Sequence, residues 1–343
     1  MSTRITVRLA ACGLILACVG QGAFALEDIP TTSGFSGKLG LGAGYTDAET
    51  NLVKGNSLVE IGQSSVSSSF RAPKGEDDAF VYPSGQFAYT FGSQQIQLFL
   101  ASDIEELVDL ETLTQLGVRK QFQRLGIVSL GYVSSGVLAQ EVWSDPYDST
   151  RSRSDTDRTF GGVRFEWDRI AGLPIGVLLQ YKDVEIDDEF SGTANLGANN
   201  PSRSLLSREG DVYRGEFRYT WRRAANQFFT PFVGYEDADL DGEAMAYTGP
   251  YVGINVGYQG AVWGVGSRAR VGSREMSKRN PIYGRRTDSD WFEIALSTTY
   301  KLPWDNWVAK GTVAYAEDNN DVRFHDQQNL LFLIGAEWRF GQK

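Results

Sequence analysis

The sequence has little of the chemistry on which most enzyme and metal sites depend. Among 343 residues there are one histidine and two cysteines, and both cysteines, Cys12 and Cys18, lie near the N-terminus. The rest of the chain therefore has no disulfide and no thiolate metal site. The histidine, His325, stands beside Asp326, but no serine-centred motif accompanies them to supply a nucleophile. We expect no enzymatic activity and no cofactor.

Long apolar runs and excess positive charge are also missing. After residue 25 no stretch approaches the roughly 20 apolar residues that a membrane helix requires. The 33 basic residues are outnumbered by 43 acidic ones, which gives a net charge of −10 and argues against nucleic acid as a partner. Hydropathy is a weak detector of barrel strands, however, so the lack of a long apolar run does not exclude a membrane β-barrel.

The N-terminal residues have the features of an export signal. Arg4 and Arg8 precede a short apolar stretch, and Ala23-Phe24-Ala25 is a small-x-small cleavage site. We expect residues 1–25 to be a secretory signal peptide and residues 26–343 to form a single domain, with a net charge of −12 after cleavage. The alternative is a lipoprotein, because Ile15-Leu16-Ala17-Cys18 loosely matches a lipidation box that would leave a lipidated Cys18.

Apolar and polar residues alternate with a period of two over long segments. In 211–221, Tyr213, Phe217 and Tyr219 alternate with charged residues, and the same alternation recurs in 34–46, 158–168 and 291–301. Period two indicates strands with one apolar and one polar face. Segments of ten or more residues exceed the usual strand of soluble proteins and match the roughly 9–11 residues of a tilted membrane strand. The pattern predicts an all-β, transmembrane, antiparallel, up-and-down β-barrel.

The connections between these segments alternate strictly between short and long. Short periplasmic turns and longer external loops are typical of outer-membrane barrels. We predict about fourteen strands, within a range of 12 to 16. A further hairpin within 47–81 would raise the number. The predicted strands are 34–46, 82–92, 94–102, 112–123, 126–142, 158–168, 175–186, 210–221, 228–236, 245–258, 261–272, 290–301, 307–317 and 328–340. The long external connections are 47–81, 103–111, 144–157, 187–209, 237–244, 273–289 and 318–327.

Aromatic residues support the same orientation. Six tryptophans fall at or beside the predicted short turns, and Trp143 and Trp291 fall at long-loop ends, which predicts a dense periplasmic and a sparse outer girdle. The six are Trp167, Trp221, Trp263, Trp304, Trp307 and Trp338. The last strand ends on the aromatic Phe340, as in barrels that the assembly machinery recognises. We therefore expect the barrel-assembly machinery, outer-membrane lipids and lipopolysaccharide as partners, in the outer membrane of a Gram-negative bacterium, with both termini periplasmic. Monomeric and trimeric barrels have the same sequence pattern, so the sequence does not predict the oligomeric state.

Several stretches, in order along the chain, resemble an uncharacterised outer-membrane family known as domain of unknown function 2860. They are IPTTSGFSGKLGLGAGY, NLVKGNS, EVWSDPYDS, DTDRTFGGVRFEWDRIAG, QYKDVEIDDEFSG, LLSREGDVYRGEF and ADLDGEAM, which run from Ile29 to Met245. The resemblance implies an outer-membrane barrel. It brings no activity, ligand or catalytic residue.

A barrel of about fourteen strands is too wide for side chains alone to fill, so an aqueous lumen is expected. The phase of the alternation points a mainly basic set of side chains inward, and rings of basic residues favour anions. We predict a porin-like channel for the passive diffusion of small hydrophilic solutes, with some preference for anions. The predicted pore-lining residues are Arg164, Glu166, Lys182, Arg214, Glu216, Arg218, Arg268, Arg270, Glu293, Lys301 and Lys310. Two alternatives are left. The inward charges pair across adjacent strands and only solvate the wall, or the barrel is a plugged or non-conducting surface module in which loops 47–81 and 187–209 fold inward or bind a partner.

The stretch Asp237-Ala238-Asp239-Leu240-Asp241-Gly242 begins like a calcium-binding EF-hand loop. The twelfth position, however, is Thr248 rather than the required glutamate, and strands instead of helices flank it. Two interpretations are left. The three aspartates form a solvated acidic turn, or they loosely bind Ca²⁺ or Mg²⁺ at an external loop, alone or shared with lipid phosphates.

Overall fold

The computed structural model describes residues 28–108, 110–136 and 138–341. The expected signal peptide at residues 1–25, including Cys18, lies outside the described residues. No helix in these ranges is long and apolar enough to cross a membrane. The strands are β1 (Gly34–Glu49), β2 (Val53–Asn56), β3 (Val59–Glu60), β4 (Gly75–Phe91), β5 (Ile96–Glu106), β6 (Glu111–Phe122), β7 (Gly126–Ser134), β8 (Gln140–Trp143), β9 (Asp155–Asp168), β10 (Ile175–Ile186), β11 (Gly210–Tyr219), β12 (Trp221–Ala224), β13 (Gln227–Leu240), β14 (Tyr247–Gln259), β15 (Trp263–Met276), β16 (Ser289–Lys301), β17 (Trp307–Asn320) and β18 (Gln327–Gly341). The helical elements are α1 (Thr193–Leu196) and 3-10 turns at Gly92–Gln94, Ile170–Gly172, Pro201–Leu206 and Arg323–His325.

The strands form one closed antiparallel barrel. Each wall strand pairs with the next along the chain, and β18 returns to β1 over fourteen residue pairs, from Ser36↔Gly341 to Glu49↔Gln328. β8 continues the path of β7 beside β9, and β12 continues that of β11 beside β13. The wall therefore has fourteen strands, as predicted. The 47–81 segment does hold a small hairpin, β2–β3, but it pairs with β8 and adds no strand to the count.

The outward face is an apolar belt with aromatic residues near the short turns. Leu41, Leu116 and Ile334 are 60–69% exposed although they are large and apolar, and similar side chains alternate outward on every wall strand. Such a surface is stable in contact with lipid rather than water. Five of the six tryptophans predicted near the short turns are exposed there, and Trp167 donates its indole N–H to the carbonyl of Leu125 (2.7 Å). The structure is that of an outer-membrane-type barrel.

The other two tryptophans contradict the predicted outer girdle. Trp143 is buried, with the Arg153 guanidinium 4.4 Å from its ring centroid. Trp291 lies on the inward side of β16, where Arg270 and Arg274 face its ring. Both rings are taken up by cation–π contacts inside the protein instead of by the lipid interface.

The β5–β6 hairpin leaves the wall and enters the lumen. β4 pairs with β5 over only five residues, from Phe91↔Ile96 to Phe87↔Leu100, although β4 stays paired with β1 as far as Glu49↔Gly75. β5 and β6 stay paired up to Glu106↔Glu111, so the two strands move inward together. We call residues 101–114 the lumen hairpin. The prediction that 103–111 is an external loop is wrong.

The remaining long connections pack against one another above the barrel. Tyr147, Leu206, Ala244, Val322 and Phe324 form their buried core. Side chains from six connections join it, and we call these connections the cap: 50–74, 144–154, 187–209, 241–246, 277–288 and 321–326. Parts of the loops expected at 47–81 and 187–209 therefore belong to the cap.

Candidate functional site: the charged layer of the lumen

The structure places the eleven predicted pore-lining side chains on the inward parity of their strands. Outward neighbours such as Val163, Leu179, Tyr213, Val271 and Phe292 are exposed to lipid and fix this parity. Arg164, Lys182, Arg270 and Glu293 are buried, whereas Lys301 is exposed at the short-turn end. The inward set is not one ring but two layers, one of which meets the lumen hairpin.

Glu105 is the centre of the upper layer. Its carboxylate lies 2.6 Å from a guanidinium nitrogen of Arg164 and 2.5 Å from Nζ of Lys182. A nitrogen of Arg214 lies 3.2 Å away. The Glu105 side chain is 1% exposed, so three cations from β9, β10 and β11 compensate one buried charge. Such compensation is what allows a carboxylate to stay ionised away from water.

Glu106 extends the layer across the lumen. It accepts from Arg214 at 2.6 Å and from Arg270 at 3.2 Å. Glu111, at the start of β6, pairs with Arg158 at 2.5 Å and with Lys182. The hairpin thus contributes three carboxylates to five cations on four wall strands.

With the hairpin in place, the charges of this layer balance. Among the described residues, its ion pairs join six basic side chains, Arg158, Arg164, Lys182, Arg214, Arg270 and Arg274, to six acidic ones, Glu105, Glu106, Glu111, Glu236, Glu293 and Asp318. Half of these acids belong to the hairpin. Without it, six cations would face three acids.

Three described residues at the tip of the hairpin are apolar and dock on an apolar patch of the wall. Leu107, Val108 and Leu110 are buried in a cluster with inward residues of β16, β17 and β18. The patch consists of Ala295, Ala314, Ala316, Leu331 and Leu333. The amide of Asn329 donates to the Leu107 carbonyl at 2.8 Å, and the Leu107 N–H donates to Glu293 at 3.3 Å. Alanines on the wall leave the space that the leucines fill.

A glycine row on β1 serves the same purpose at the side of the hairpin. Gly42 points inward opposite Tyr82, whose ring lies 2.5 Å from where a Cβ on Gly42 would stand. Any larger residue would push Tyr82 away, and Tyr82 belongs to the cluster around the hairpin tip. The absence of a side chain at 42 therefore helps to close this part of the lumen.

Little space is left in the layer. A cavity between Glu106, Arg214, Tyr251, Arg270 and Trp291 offers about 10 Å³ to the centre of a water molecule. That is about the volume one water needs. At this point the hairpin and the wall leave room for about one water molecule.

The lower layer, nearer the short turns, does not involve the hairpin. Arg218 pairs with Glu166 at 2.7 Å and with Asp168 at 3.0 Å. Lys310 lies 3.3 Å from Glu337. Glu216 accepts from Tyr251, and Arg268 stacks on Phe232. These predicted pore-lining residues therefore pair along the wall.

Buried polar side chains join the loops of the cap, and Arg153 and His325 are among them. Arg153 donates to the carbonyls of Asn51 (2.6 Å), Pro146 (2.9 Å) and Gln63, and burial lowers the pKa of Arg153 to about 10. His325 Nε2 lies 3.3 Å from the Tyr147 hydroxyl. Burial, with Arg208 nearby, lowers the pKa of His325 to about 4, so the ring is neutral at pH 7.

The sequence neighbours His325 and Asp326 have different surroundings. Asp326 accepts a hydrogen bond from the backbone N–H of Asn320. The ring of His325 lies instead among those of Tyr147, Tyr283 and Phe324. Its surroundings are those of a packing residue.

The acidic stretch is placed differently from its prediction as an external loop. β13 continues to Leu240, so Asp237 and Asp239 lie on its outward face and only Asp241 follows the strand. In the described part of the chain, no three Asp, Glu, His or Cys side chains are grouped closely enough to hold a metal. Loose binding of Ca²⁺ or Mg²⁺ at Asp237, Asp239 and Asp241 stays a proposal.

Sequence reasoning missed the hairpin acids. Glu105, Glu106 and Glu111 all lie within 103–111, which the sequence predicts to be an external loop. The signal was the apolar Ile104, Leu107 and Val108 around the acids, since an external loop gains nothing from exposing them.

Residues 34–339 match the model of a family described as "Protein of unknown function (DUF2860)". The chain belongs to this family. No curated protein matches the sequence. Because the family is described as one of unknown function, belonging to it assigns no activity to the chain.

Solved barrels resemble the chain distantly. The TodX monoaromatic hydrocarbon channel deltaS2 mutant is 9% identical, with a TM-score of 0.46 and 91% of each chain covered. The anion-selective porin from Comamonas acidovorans is 9% identical, with a TM-score of 0.40, 90% of this chain and 99% of the porin covered. A bacterial polysaccharide outer membrane secretin is 10% identical, with a TM-score of 0.39, 89% of this chain and 98% of that one covered. The fold assignment rests on the closed strand order of this chain.

Proposed function

We propose that this DUF2860 protein is a gated outer-membrane channel, which the lumen hairpin closes in the state described and opens by leaving the charged layer. One observation carries the proposal. The plug is part of two wall strands, and its acids Glu105 and Glu106 are held by ion pairs with cations on four other strands. Ion pairs in a lumen are exchangeable with water and solute, unlike a covalent or fully apolar core.

The open lumen is suited to small hydrophilic solutes with a preference for anions. Hairpin exit removes three of the six acids from the layer and leaves its six cations. Excess positive charge in a constriction raises the local concentration of anions and lowers that of cations.

The asymmetry of the connections supports an orientation in the outer membrane. Six packed loops stand at one end and short turns at the other, and fourteen strands return the C-terminus to the side of the N-terminus. In outer-membrane barrels the short turns are periplasmic. We place both termini in the periplasm and the cap outside, against lipopolysaccharide.

Planar-bilayer recording tests the proposal. Replacing residues 105–111 by Asn-Gly keeps the Ile104↔Thr112 pair and joins it by a two-residue hairpin turn. The matched control replaces the seven cap residues 197–203 by Asn-Gly. We expect rare openings of the unmodified protein, frequent openings of the hairpin variant with an anion-selective reversal potential in a KCl gradient, and no change in the control.

The second candidate is a non-conducting surface barrel, which the packed cap favours. Opening only in the 197–203 variant would make the cap the plug and would overturn the role of the hairpin. No conductance in either variant, with both barrels folded, would leave the surface module. A cation-selective hairpin variant would overturn the anion preference.

A further inference from the structure

Four lumen cations converge on Glu105 and Glu106, two of the three acids that the hairpin brings to the layer. Arg164, Lys182, Arg214 and Arg270, which we call the cation cradle, lie on β9, β10, β11 and β15. We infer that the cation cradle is a binding site for a small solute with two carboxylates, and that Glu105 and Glu106 occupy it as an internal ligand.

One arginine bridges the two acids and so defines what the site accepts. One nitrogen of Arg214 lies 3.2 Å from Glu105, and another lies 2.6 Å from Glu106. A planar guanidinium holds its donors in a fixed fork, so the two carboxylates are kept side by side. Arg164 and Lys182 complete the position of Glu105, and Arg270 completes that of Glu106.

The wall holds the arginines in place independently of the hairpin. The Nε–H of Arg214 donates to Glu236 at 2.7 Å, and that of Arg270 donates to Glu293 at 2.7 Å. The Nε–H of Arg164 donates to Gln180 at 2.8 Å. Each guanidinium is thus oriented by a wall residue bonded to its Nε–H, and its terminal nitrogens face the lumen. A site that is oriented before its ligand arrives loses less entropy on binding.

The chemistry selects the class of ligand. Two adjacent carboxylates on a short chain, as in succinate or glutarate, reproduce the pair that Glu105 and Glu106 present. A monocarboxylate reaches one half of the cradle and forms none of the charge-assisted hydrogen bonds of the other half, so it gains less binding free energy than a dicarboxylate. Inorganic phosphate is a single compact centre and reaches fewer of the four cations.

The inference has a consequence for gating. A dicarboxylate and the hairpin acids compete for the same cations, so the solute binds only when the hairpin has left. A ligand that binds one state shifts the equilibrium toward it. This step rests on the proposed function, whereas binding to the cradle does not.

Binding is measured on the variant in which Asn-Gly replaces residues 105–111, by calorimetry and by the fluorescence of Trp291, whose ring centroid lies 5.3 Å from the Arg270 guanidinium. We expect glutarate or succinate to bind at least about tenfold more tightly than propionate or inorganic phosphate. Arg214→Gln is expected to weaken this binding about tenfold to a hundredfold, the range for hydrogen bonds to charged groups. The matched control, Arg218→Gln, removes a lumen arginine whose partners are Glu166 and Asp168, and should leave affinity unchanged.

Displacement is measured in the full-length hairpin with Val108→Cys, after Cys12 and Cys18 are changed to Ser. Glutarate should speed labelling of Val108→Cys by a hydrophilic maleimide, and propionate should not. Equal affinity for mono- and dicarboxylates, tighter binding of phosphate, or an equal loss in Arg214→Gln and Arg218→Gln would overturn the inference while leaving a conducting channel intact. Dicarboxylate binding without any conductance would instead refute the channel and leave the site.

Discussion

Neutralising the two hairpin acids should open the channel. In Glu105→Gln with Glu106→Gln the shape of both side chains is kept, but the cations around them lose their counter-charge. The Glu105 side chain is 1% exposed and lies within 3.2 Å of three cations. Removing one partner from a buried ion pair costs about 3–5 kcal/mol, because the remaining charge is left without compensation.

That cost applies only while the hairpin excludes water from the layer. Once the hairpin leaves, water solvates the cations, so the penalty falls on the closed state. Since about 1.4 kcal/mol corresponds to a factor of ten, the ratio of open to closed states should rise by between about 10²-fold and about 4 × 10³-fold. Open probability in planar bilayers measures this ratio directly.

A matched control changes two acids on the outward face of β10. Asp183→Asn with Glu185→Gln removes the same charge from exposed positions and should leave open probability unaltered. If Glu105→Gln with Glu106→Gln stays closed while its barrel remains folded in gel-shift assays, ion pairs do not hold the hairpin, and the reasoning fails.

Three further predictions concern the apolar tip of the hairpin, the cap, and the acidic rim, by which we mean Asp237, Asp239 and Asp241 at the end of β13. Leu107→Ala should destabilise the closed state by about 2–5 kcal/mol, because it leaves a cavity at a buried site, and should raise open probability without changing ion selectivity; an unchanged open probability would contradict this. Because the pKa of His325 is about 4 in the folded cap against 6.5 unfolded, the folded cap binds fewer protons; its stability is complete above pH 6.5 and declines by up to about 3 kcal/mol as pH falls to 4. Loop proteolysis against pH checks this, and His325→Phe should flatten the profile between those values. For divalent binding at the rim, calorimetry should show weaker calcium binding in Asp239→Asn with Asp241→Asn, and unchanged heats would rule the site out.

The wall of the barrel could be predicted because lipid and lumen impose opposite environments on the two faces of each strand. Alternation in 211–221 or 291–301 is a local property, and it placed Arg214 and Glu293 on the inward face without knowledge of any contact. Strand ends were harder to predict. Asp237 and Asp239 read as loop because exposed acids look the same above the apolar belt as in a turn, yet β13 continues through them.

The lumen hairpin could not be predicted in this way, because its position depends on distant partners. Leu107 contacts Glu293 and Asn329, which are 186 and 222 residues away in sequence. Residues 103–111 have no sustained period, since paired acids and paired apolar residues follow one another. A connection of this length between two strands is typical of an external loop, and only tertiary contacts turn it inward.

We expect the hairpin to be a two-state element rather than a fixed plug, because β5 departs from β4. Beyond Phe87↔Leu100, β4 has no β5 partner, although this part of β4 lies in the apolar belt beside Val81. A backbone N–H without an acceptor is costly in an apolar environment, and Pro83 avoids that cost at its own position because it has no N–H. Continuing the same register would place Ile104 opposite Pro83 and complete the wall, but it would leave the cation cradle without its acids. Each state thus lacks what the other supplies. A disulfide between Pro83→Cys and Ile104→Cys should therefore form slowly, trap the hairpin in the wall and hold the channel open until it is reduced, because directly opposite positions of an antiparallel pair are within disulfide reach. Disulfide formation that leaves the channel closed would show that the lumen is blocked by something other than the hairpin.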